Sequence, residues 1–171
     1  MVAYAYRMPA GIAGEVTRYS VGTTIEAQLQ MVGNPLPAYG MPAVIDPASG
    51  GMRPVAAGDA AGVIYGVIVR PYPTQPQSAV NYGAVVVGQP GVPPVTGIID
   101  ILKRGYVNVM LSGIGKPAPV KGGPVHIWTA AAAGGEVVGG FTTDPAGLAI
   151  PIAYFTGSAD SNGNTEIAWN L

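Results

Sequence analysis

The sequence contains no cysteine, a single histidine and few charged side chains. The absence of cysteine excludes disulfide bonds, thiolate nucleophiles and zinc-finger sites. His126 alone cannot form a multi-histidine metal centre, and we expect no metal and no cofactor. Lys, Arg, Asp and Glu make up only 10% of the 171 residues, against about 25% in an average soluble domain. A surface so poor in charge is often buried against other protein, which indicates an obligate partner; a robust β-domain that needs few charges is the alternative.

The charges that are present are balanced. Eight basic and nine acidic residues give a formal net charge of −1, without a basic tract. A protein that binds nucleic acid by neutralising phosphates is therefore not expected. Residues Met1–Arg7 lack the pattern of a signal peptide, and no apolar run is long enough to span a membrane. We expect a protein that is made in a cytoplasm and kept there or in a particle assembled there.

Glycine and proline are abundant, with 26 and 17 residues, and hydrophobic residues make up 49% of the chain. This apolar content is enough for a core, which argues against disorder. Apolar residues recur with period two in short runs between glycine-rich and proline-rich turns, and each such run predicts a β-strand. The predicted strands cover residues 25–31, 62–69, 84–87, 98–102, 106–111, 125–129, 152–155 and 165–169. The sequence therefore predicts an all-β fold, a small sandwich or a jelly-roll-like barrel.

The first of these strands shows the pattern clearly. Ile25, Ala27 and Leu29 alternate with Glu26 and Gln28, which predicts a half-buried strand. A helix of one or two turns is the alternative.

Two segments interrupt the strands. Residues 1–14 are polar, aromatic and broken by glycine and proline, and we interpret them as an extended N-terminal arm, with terminal fraying as the alternative. Residues 15–171 then form a single all-β domain. Within it, residues 71–97 are rich in proline and predict a long loop.

Candidate catalytic and metal sites are weak. Asp160, Asn162, Asn164 and Glu166 alternate oxygen ligands, but their spacing fails the calcium-loop pattern, and a type I′-like turn at Asn162-Gly163 explains them better. His126 alternates with a tryptophan on a predicted strand, without a recognisable nucleophile or acid beside it, which favours a structural histidine.

Interface residues are predicted mainly at the arm and at the proline-rich segment. Tyrosine, arginine and methionine are enriched at protein interfaces, and arginines there pair with carboxylates of a neighbour. The candidate interface residues are Tyr4, Tyr6, Arg7, Met8, Arg18, Arg70 and Tyr72.

Several segments taken together resemble one protein family. They are residues 7–18 (RMPAGIAGEVTR), 24–28 (TIEAQ), 39–42 (YGMP), 65–75 (YGVIVRPYPTQ), 104–109 (RGYVNV) and 121–127 (KGGPVHI). In combination they are similar to the structural cement, or capsid decoration, proteins of tailed bacteriophages. The resemblance extends from about residue 7 to the C-terminus, although each phrase alone is ordinary β-protein sequence.

The resemblance implies a non-enzymatic virion protein on the outer surface of an icosahedral head. Such proteins bind where capsomers of the major capsid protein meet, and they stabilise the shell against the internal pressure of packaged DNA. They are small all-β domains, often jelly-roll-like, that act as dimers or trimers. The family supplies no catalytic residues, and no nucleic acid, membrane or cofactor is implied.

Two other function classes stay open. One is a different structural part of a virion, such as a tail or baseplate domain or the base of a head fibre, which has the same composition. The other is an enzyme or a carbohydrate-binding β-sandwich whose site combines Trp128, Trp169, His126 and Asp100. A cleft with convergent polar groups and a stacking tryptophan favours this second class.

Overall fold

The computed structural model describes residues 11–70, 92–113 and 117–171, and their strands form one ten-stranded sheet. The predicted all-β fold is confirmed. The strands are β1 Val16–Arg18, β2 Thr24–Leu29, β3 Pro42–Ile45, β4 Met52–Pro54, β5 Ile64–Val69, β6 Ile98–Met110, β7 Pro124–Ile127, β8 Phe141–Thr142, β9 Leu148–Phe155 and β10 Asn164–Trp169. In these residues the single helical element is the three-residue 3-10 turn Ala61–Val63. No helix there is long and apolar enough to cross a bilayer.

Strand β6 is the axis of the sheet. The two strands predicted at residues 98–102 and 106–111 are one strand of 13 residues, which passes Gly105 at a φ of 140°. Leu102 in its first half pairs with β2 on one side and with β5 on the other. Val107 in its second half lies between β1 and β10 in the same way. A single long strand thus joins the two halves of the fold.

The sheet curls into half a barrel, with strand order β4-β3-β5-β6-β10-β9-β7-β8. Its inner face carries the main core, which combines Val44 and Val67 from one half with Ile127 and Phe141 from the other. Trp169 at the end of β10 is 1% exposed, and its ring meets that of Phe141 edge-on at a centroid distance of 6.3 Å. Because this cluster takes residues from both halves, it holds them together, while the contact between Trp169 and Phe141 lies within the half formed by β7 to β10.

A second core covers the opposite face of the β5–β6 half. Ile68 and Ile101 pair across the two strands and pack with Leu36 and Met52. The segment at residues 36–41 lies over this face and adds Tyr39 and Met41 to the cluster. The β5–β6 half is therefore buried on both faces, which accounts for the continuous apolar run in β5.

Strand β2 is formed as predicted, but its buried and exposed sides are the reverse of those expected for a half-buried strand. Ile25, Ala27 and Leu29 are exposed, whereas Glu26 and Gln28 are half-buried. The polar side chains face Tyr65 on β5. Its hydroxyl donates to Glu26 and accepts a hydrogen bond of 3.2 Å from the Gln28 side-chain amide.

The other predicted strands are recovered with shifted ends, except residues 84–87, which lie outside the described residues. The turn at residues 160–163 joins β9 to β10, but it is not of type I′, because only Gly163 in it has a positive φ. Strands β1, β3, β4 and β8 were not predicted. Each is two to four residues long, too short for period-two patterning to show.

Candidate functional site

Most charged side chains in the described residues are engaged by the chain itself. Arg53 and Asp59 form an ion pair of 2.8 Å between Nη1 and Oδ2. The buried carboxylate of Glu136 accepts a hydrogen bond of 2.6 Å from the Thr142 hydroxyl. The Lys103 ammonium donates to the Tyr65 carbonyl at 2.6 Å. Because so many of the few charges serve internal contacts, little charge is left to cover the surface.

Arg18, a candidate interface residue, lies at the end of β1. Its Nη2 lies 2.6 Å from Oε1 of Glu166 on β10, and its guanidinium lies 4.4 Å from the centre of the Tyr106 ring. The side chain is nevertheless 58% exposed. Arg18 is thus held in place by its own chain with part of its surface open to solvent, and its contact with a neighbour stays a prediction.

Glu166 is the centre of a small polar cluster. Burial alone would raise its pKa, but hydrogen bonds from Thr156, Thr17 and Arg18 outweigh burial and lower the pKa below its usual value. The Thr156 hydroxyl donates at 2.6 Å. Glu166 therefore stays ionised and fastens β1 to the neighbouring end of β10.

Arg70, the second described candidate, lies directly after β5. Its Nε donates to the Ala13 carbonyl at 3.0 Å, and its backbone amide donates to the Gly14 carbonyl at 2.8 Å. Its guanidinium lies 4.9 Å from the centre of the Tyr39 ring. Burial raises the pKa of Tyr39, while the charge of Arg70 lowers it in part. Arg70 thus holds the beginning of the described chain.

The two arginines fix opposite ends of residues 13–18. Gly14 also donates a backbone hydrogen bond of 2.8 Å to the Asn108 carbonyl on β6, so residues 11–14 of the predicted arm lie on the domain. Tyr4, Tyr6, Arg7 and Met8 precede this point, and Tyr72 follows Arg70; all five lie outside the described residues. Their predicted role at an interface stays a prediction.

The side chain of Asn108 is a conspicuous polar group beneath this segment. It is 1% exposed, and neither its oxygen nor its nitrogen has a hydrogen-bond partner. Gly11 lies against it, because a Cβ at Gly11 would meet the Asn108 side chain. A groove of about 700 Å³ runs beside the segment and is lined by Ile12, Met41 and Met110, among others.

An exposed apolar patch forms along β2. We define the β2 strip as Ile25, Ala27 and Leu29 together with Ile98, the first residue of β6, which pairs with Leu29. Leu29 is 64% exposed and Ile98 67% exposed. Within the described part of the chain, β2 pairs with β6 alone. The strip therefore combines exposed apolar side chains with Asp100, which pairs with Ala27 on the same face, and the strand edge is bridged to Met52 just beyond β2, at Gln30.

The residues of the alternative catalytic or carbohydrate site do not converge. Trp169 is buried in the core against Phe141, so it offers no stacking face to a sugar. Asp100 lies on β6 beside β5, whereas His126 is buried on β7 at the other half of the sheet. The indole of Trp128 donates to the Ala131 carbonyl at 3.0 Å. This arrangement gives no cleft built from these four residues.

The candidate calcium ligands Asp160, Asn162, Asn164 and Glu166 do not come together around one site either. Both Oδ atoms of Asp160 serve the turn, with Oδ1 accepting from the amides of Asn162 and Asn164 at 2.9 Å each. Glu166 instead faces Thr156 and β1. Across residues 11–70, 92–113 and 117–171, no group of three or more acidic or histidine side chains could hold a metal ion.

Sequence reasoning missed the β2 strip and the anchoring of residues 11–14. Period-two alternation identifies the two faces of a strand but does not say which face the core takes. The partner that decides this for β2 is Tyr65, which is 37 to 39 residues away in sequence. For residues 11–14, the sequence signal was the pair of glycines at 11 and 14. In the structure both have positive φ and lie too close to neighbouring atoms for a side chain.

Comparison with known proteins agrees with this architecture. A family described as XM1 gp53 minor capsid protein matches residues 1–169 of the chain. A chain in the structure titled "The capsid of Myoviridae Phage XM1" has a TM-score of 0.67 and 19% sequence identity, and the match covers 99% of this chain and 97% of that chain. The solved structure shows a shared fold. No curated protein matches the sequence.

Proposed function

The chain belongs to the XM1 gp53 minor capsid protein family, and from this membership we propose that it is a cement protein of a tailed-phage head. The family makes it a structural protein of the virion. In the proposed function it binds the outer surface of the major capsid protein lattice where capsomers meet. It acts without catalysis or cofactor and stabilises the shell against the pressure of packaged DNA.

The observation that supports this proposal beyond family membership is that the few charged side chains mostly contact the chain itself, while large apolar side chains stay on the surface. Arg53, Lys103, Glu136 and Glu166 each make a close contact within the chain, and the exposed surface keeps large apolar residues such as those of the β2 strip. A protein that functions as a free monomer usually covers its surface with charge. A surface that is neutral and partly apolar suits a protein buried against a lattice and against copies of itself.

Binding to a repeating lattice also allows each individual contact to be weak. A capsid presents the same site many times, and a homodimer or homotrimer engages several sites at once. The second contact of each oligomer is then intramolecular, and its effective concentration multiplies the affinity by about 10²–10⁴. Modest interfaces therefore suffice for durable binding.

The proposed contacts lie at the arm and at the proline-rich segment. Tyr4, Tyr6, Arg7 and Met8 precede the point at which the structure anchors the chain, so the arm starts from a fixed base at Gly11–Gly14. Tyrosines there bury a large area at a small entropic cost. Tyr72 and its neighbouring prolines form the second contact, because proline restricts the unbound conformations of a loop.

The direct test uses undecorated heads of the source particle. Purified protein is mixed with the heads, and bound protein is measured after sedimentation together with the temperature at which the heads release DNA. We expect saturable binding at a fixed number of copies per head and a higher release temperature. Protein that stays in the supernatant at micromolar concentration, or binds without stabilising the heads, would contradict the cement function.

A further inference from the structure

A row of paired residues crosses the outer face of the sheet in the half that contains β7 to β10. We define the outer row as the residues that pair in turn across β1, β6, β10, β9 and β7, namely Arg18, Tyr106, Ala168, Tyr154 and Pro124. Paired residues of neighbouring strands direct their side chains to the same face. Ile167 and Trp169, on either side of Ala168, belong to the main core, so the row faces away from that core.

The outer row forms a continuous exposed surface. Tyr154 is 40% exposed, Pro124 is exposed, and Tyr106 is half-buried. Ala168 between the two tyrosines is 0% exposed, so its larger neighbours cover it and leave no slot there. Small ligands bind in concave pockets. Exposed tyrosines on a surface without a pocket are instead typical of a contact with another protein.

Arg18 lies at one end of the outer row and still has hydrogen-bond donors to offer. An arginine carries five N–H donors. Two of them bind Glu166, from Nε to Oε2 at 3.2 Å and from Nη2 to Oε1 at 2.6 Å. The other three bind none of the described residues, and the side chain is 58% exposed. Because Glu166 and the Tyr106 ring already hold the guanidinium, a partner binds it at a small cost in side-chain entropy.

The charges of these strands decide the chemistry of that partner. Strands β7 and β9 contain no acidic or basic residue apart from the histidine of β7. The one carboxylate of β1, β10 and residues 104–110 of β6 is Glu166, whose side chain is 12% exposed and bound to Arg18. The exposed charges there are those of Arg18 and Arg104. A complementary surface therefore carries carboxylates.

We propose that the outer row is a contact surface for the major capsid protein, and that Arg18 binds a carboxylate of that protein. Tyr106, Tyr154 and Pro124 pack against apolar side chains beside the carboxylate. This inference deepens the proposed function and rests on it. It adds a contact on the folded domain to those proposed for the arm and the proline-rich segment.

The first test compares two substitutions that break the same ion pair. Arg18→Gln removes the guanidinium charge, whereas Glu166→Gln leaves the charge and removes only its internal partner. At low salt we expect Arg18→Gln to bind undecorated heads at least about tenfold more weakly than wild type and with a smaller dependence on salt. Glu166→Gln should lose no more than about threefold. Equal losses in the two variants would show that Arg18 only fastens β1 to β10, and would overturn the proposal.

The second test removes an aromatic side chain from the other end of the row. Tyr154→Ser is expected to weaken head binding at least about tenfold. Ile45→Ser is the matched control, because Ile45 is 38% exposed and lies on β3 in the other half of the sheet. The mass of each variant is measured by light scattering, and its fold by thermal unfolding.

The outcomes separate this proposal from the cement function. Wild-type protein that does not bind heads refutes both. If wild type binds and Tyr154→Ser binds as well as Ile45→Ser, the outer row is not the contact and the cement function stands. If the substitutions in the row lower the oligomer mass and leave the binding of heads unchanged, the row joins copies of this chain, which also overturns the proposal.

Discussion

Gly14 and Gly40 face each other so closely that a Cβ on Gly40 would lie 2.7 Å from the backbone nitrogen of Gly14. Both have positive φ, 83° and 77°. Gly40 belongs to the segment that covers the second core, and its amide donates to the Ile68 carbonyl at 2.8 Å. The contact therefore ties the beginning of the described chain to the cover of a buried sheet face.

Gly40→Ala should destabilise the protein more than its backbone angle alone explains. An alanine at a left-handed φ costs about 1–2 kcal/mol, and a clash with the Gly14 backbone adds about 1–3 kcal/mol. Gly122→Ala is the matched control, because Gly122 also has a φ of 77° and open space where the Cβ would lie. Urea unfolding of the two variants gives the difference, and equal losses of stability would refute the close contact.

Removal of residues 1–10 should leave the fold intact and weaken binding to heads. The deletion stops before Gly11, so the hydrogen bonds of Gly14 to Asn108 and of Arg70 to Ala13 are kept. We expect an unchanged thermal midpoint and at least about tenfold weaker binding, since rigid aromatic anchors dominate interface energies. Tyr4→Phe with Tyr6→Phe in the full chain is the control, and undiminished binding by the deletion variant would exclude the arm as a contact.

The sequence predicted the fold class well because period-two patterning reports the strands directly. It divided β6 in two, because the apolar pattern of residues 98–102 stops at Lys103-Arg104-Gly105 and resumes at Tyr106. In the structure Gly105 takes a φ of 140° inside the strand and pairs with Trp169. Only the partners on either side of β6, which lie far away in sequence, keep such a residue within a strand.

The candidate site was harder to predict than the fold. Arg18 was expected to pair with a carboxylate of a neighbour; within its own chain it pairs with Glu166, 148 residues away, and its contact with a neighbour stays a prediction. The direction of the apolar face of β2 likewise depends on Tyr65. Side-chain chemistry predicts the kind of partner, but the topology decides whether that partner comes from the same chain.

Trp169→Ala should strongly destabilise the domain, whereas Trp128→Ala should be tolerated. Trp169 is fully buried against Phe141, and loss of such a ring costs about 3–5 kcal/mol. Trp128 is only half-buried, and we expect Trp128→Ala to lower the free energy of unfolding by less than about 2 kcal/mol. Differential scanning calorimetry compares the two. Tight binding of an oligosaccharide that Trp128→Ala abolishes would support the carbohydrate-binding alternative.

Glu166→Gln should remove a part of the stability that depends on pH. Because the folded pKa of Glu166 is lowered from its usual value of 4.5, the carboxylate contributes stability above that value and loses it as pH falls through the folded pKa. At pH 7 we expect the variant to be less stable by about 1–2 kcal/mol, mainly through the hydroxyl bonds, since the exposed Arg18 adds little.

As pH falls from 5 towards 3, the stabilities of wild type and Glu166→Gln should converge, because protonation removes from the wild type what the substitution has already removed. Denaturant unfolding at a series of pH values measures this. Arg18→Ala serves as the control. It leaves the Thr17 and Thr156 hydroxyls in place and should reduce the pH-dependent difference only in part. A difference between wild type and Glu166→Gln that stays constant down to pH 3 would show that the ionised carboxylate is not what fastens β1 to β10.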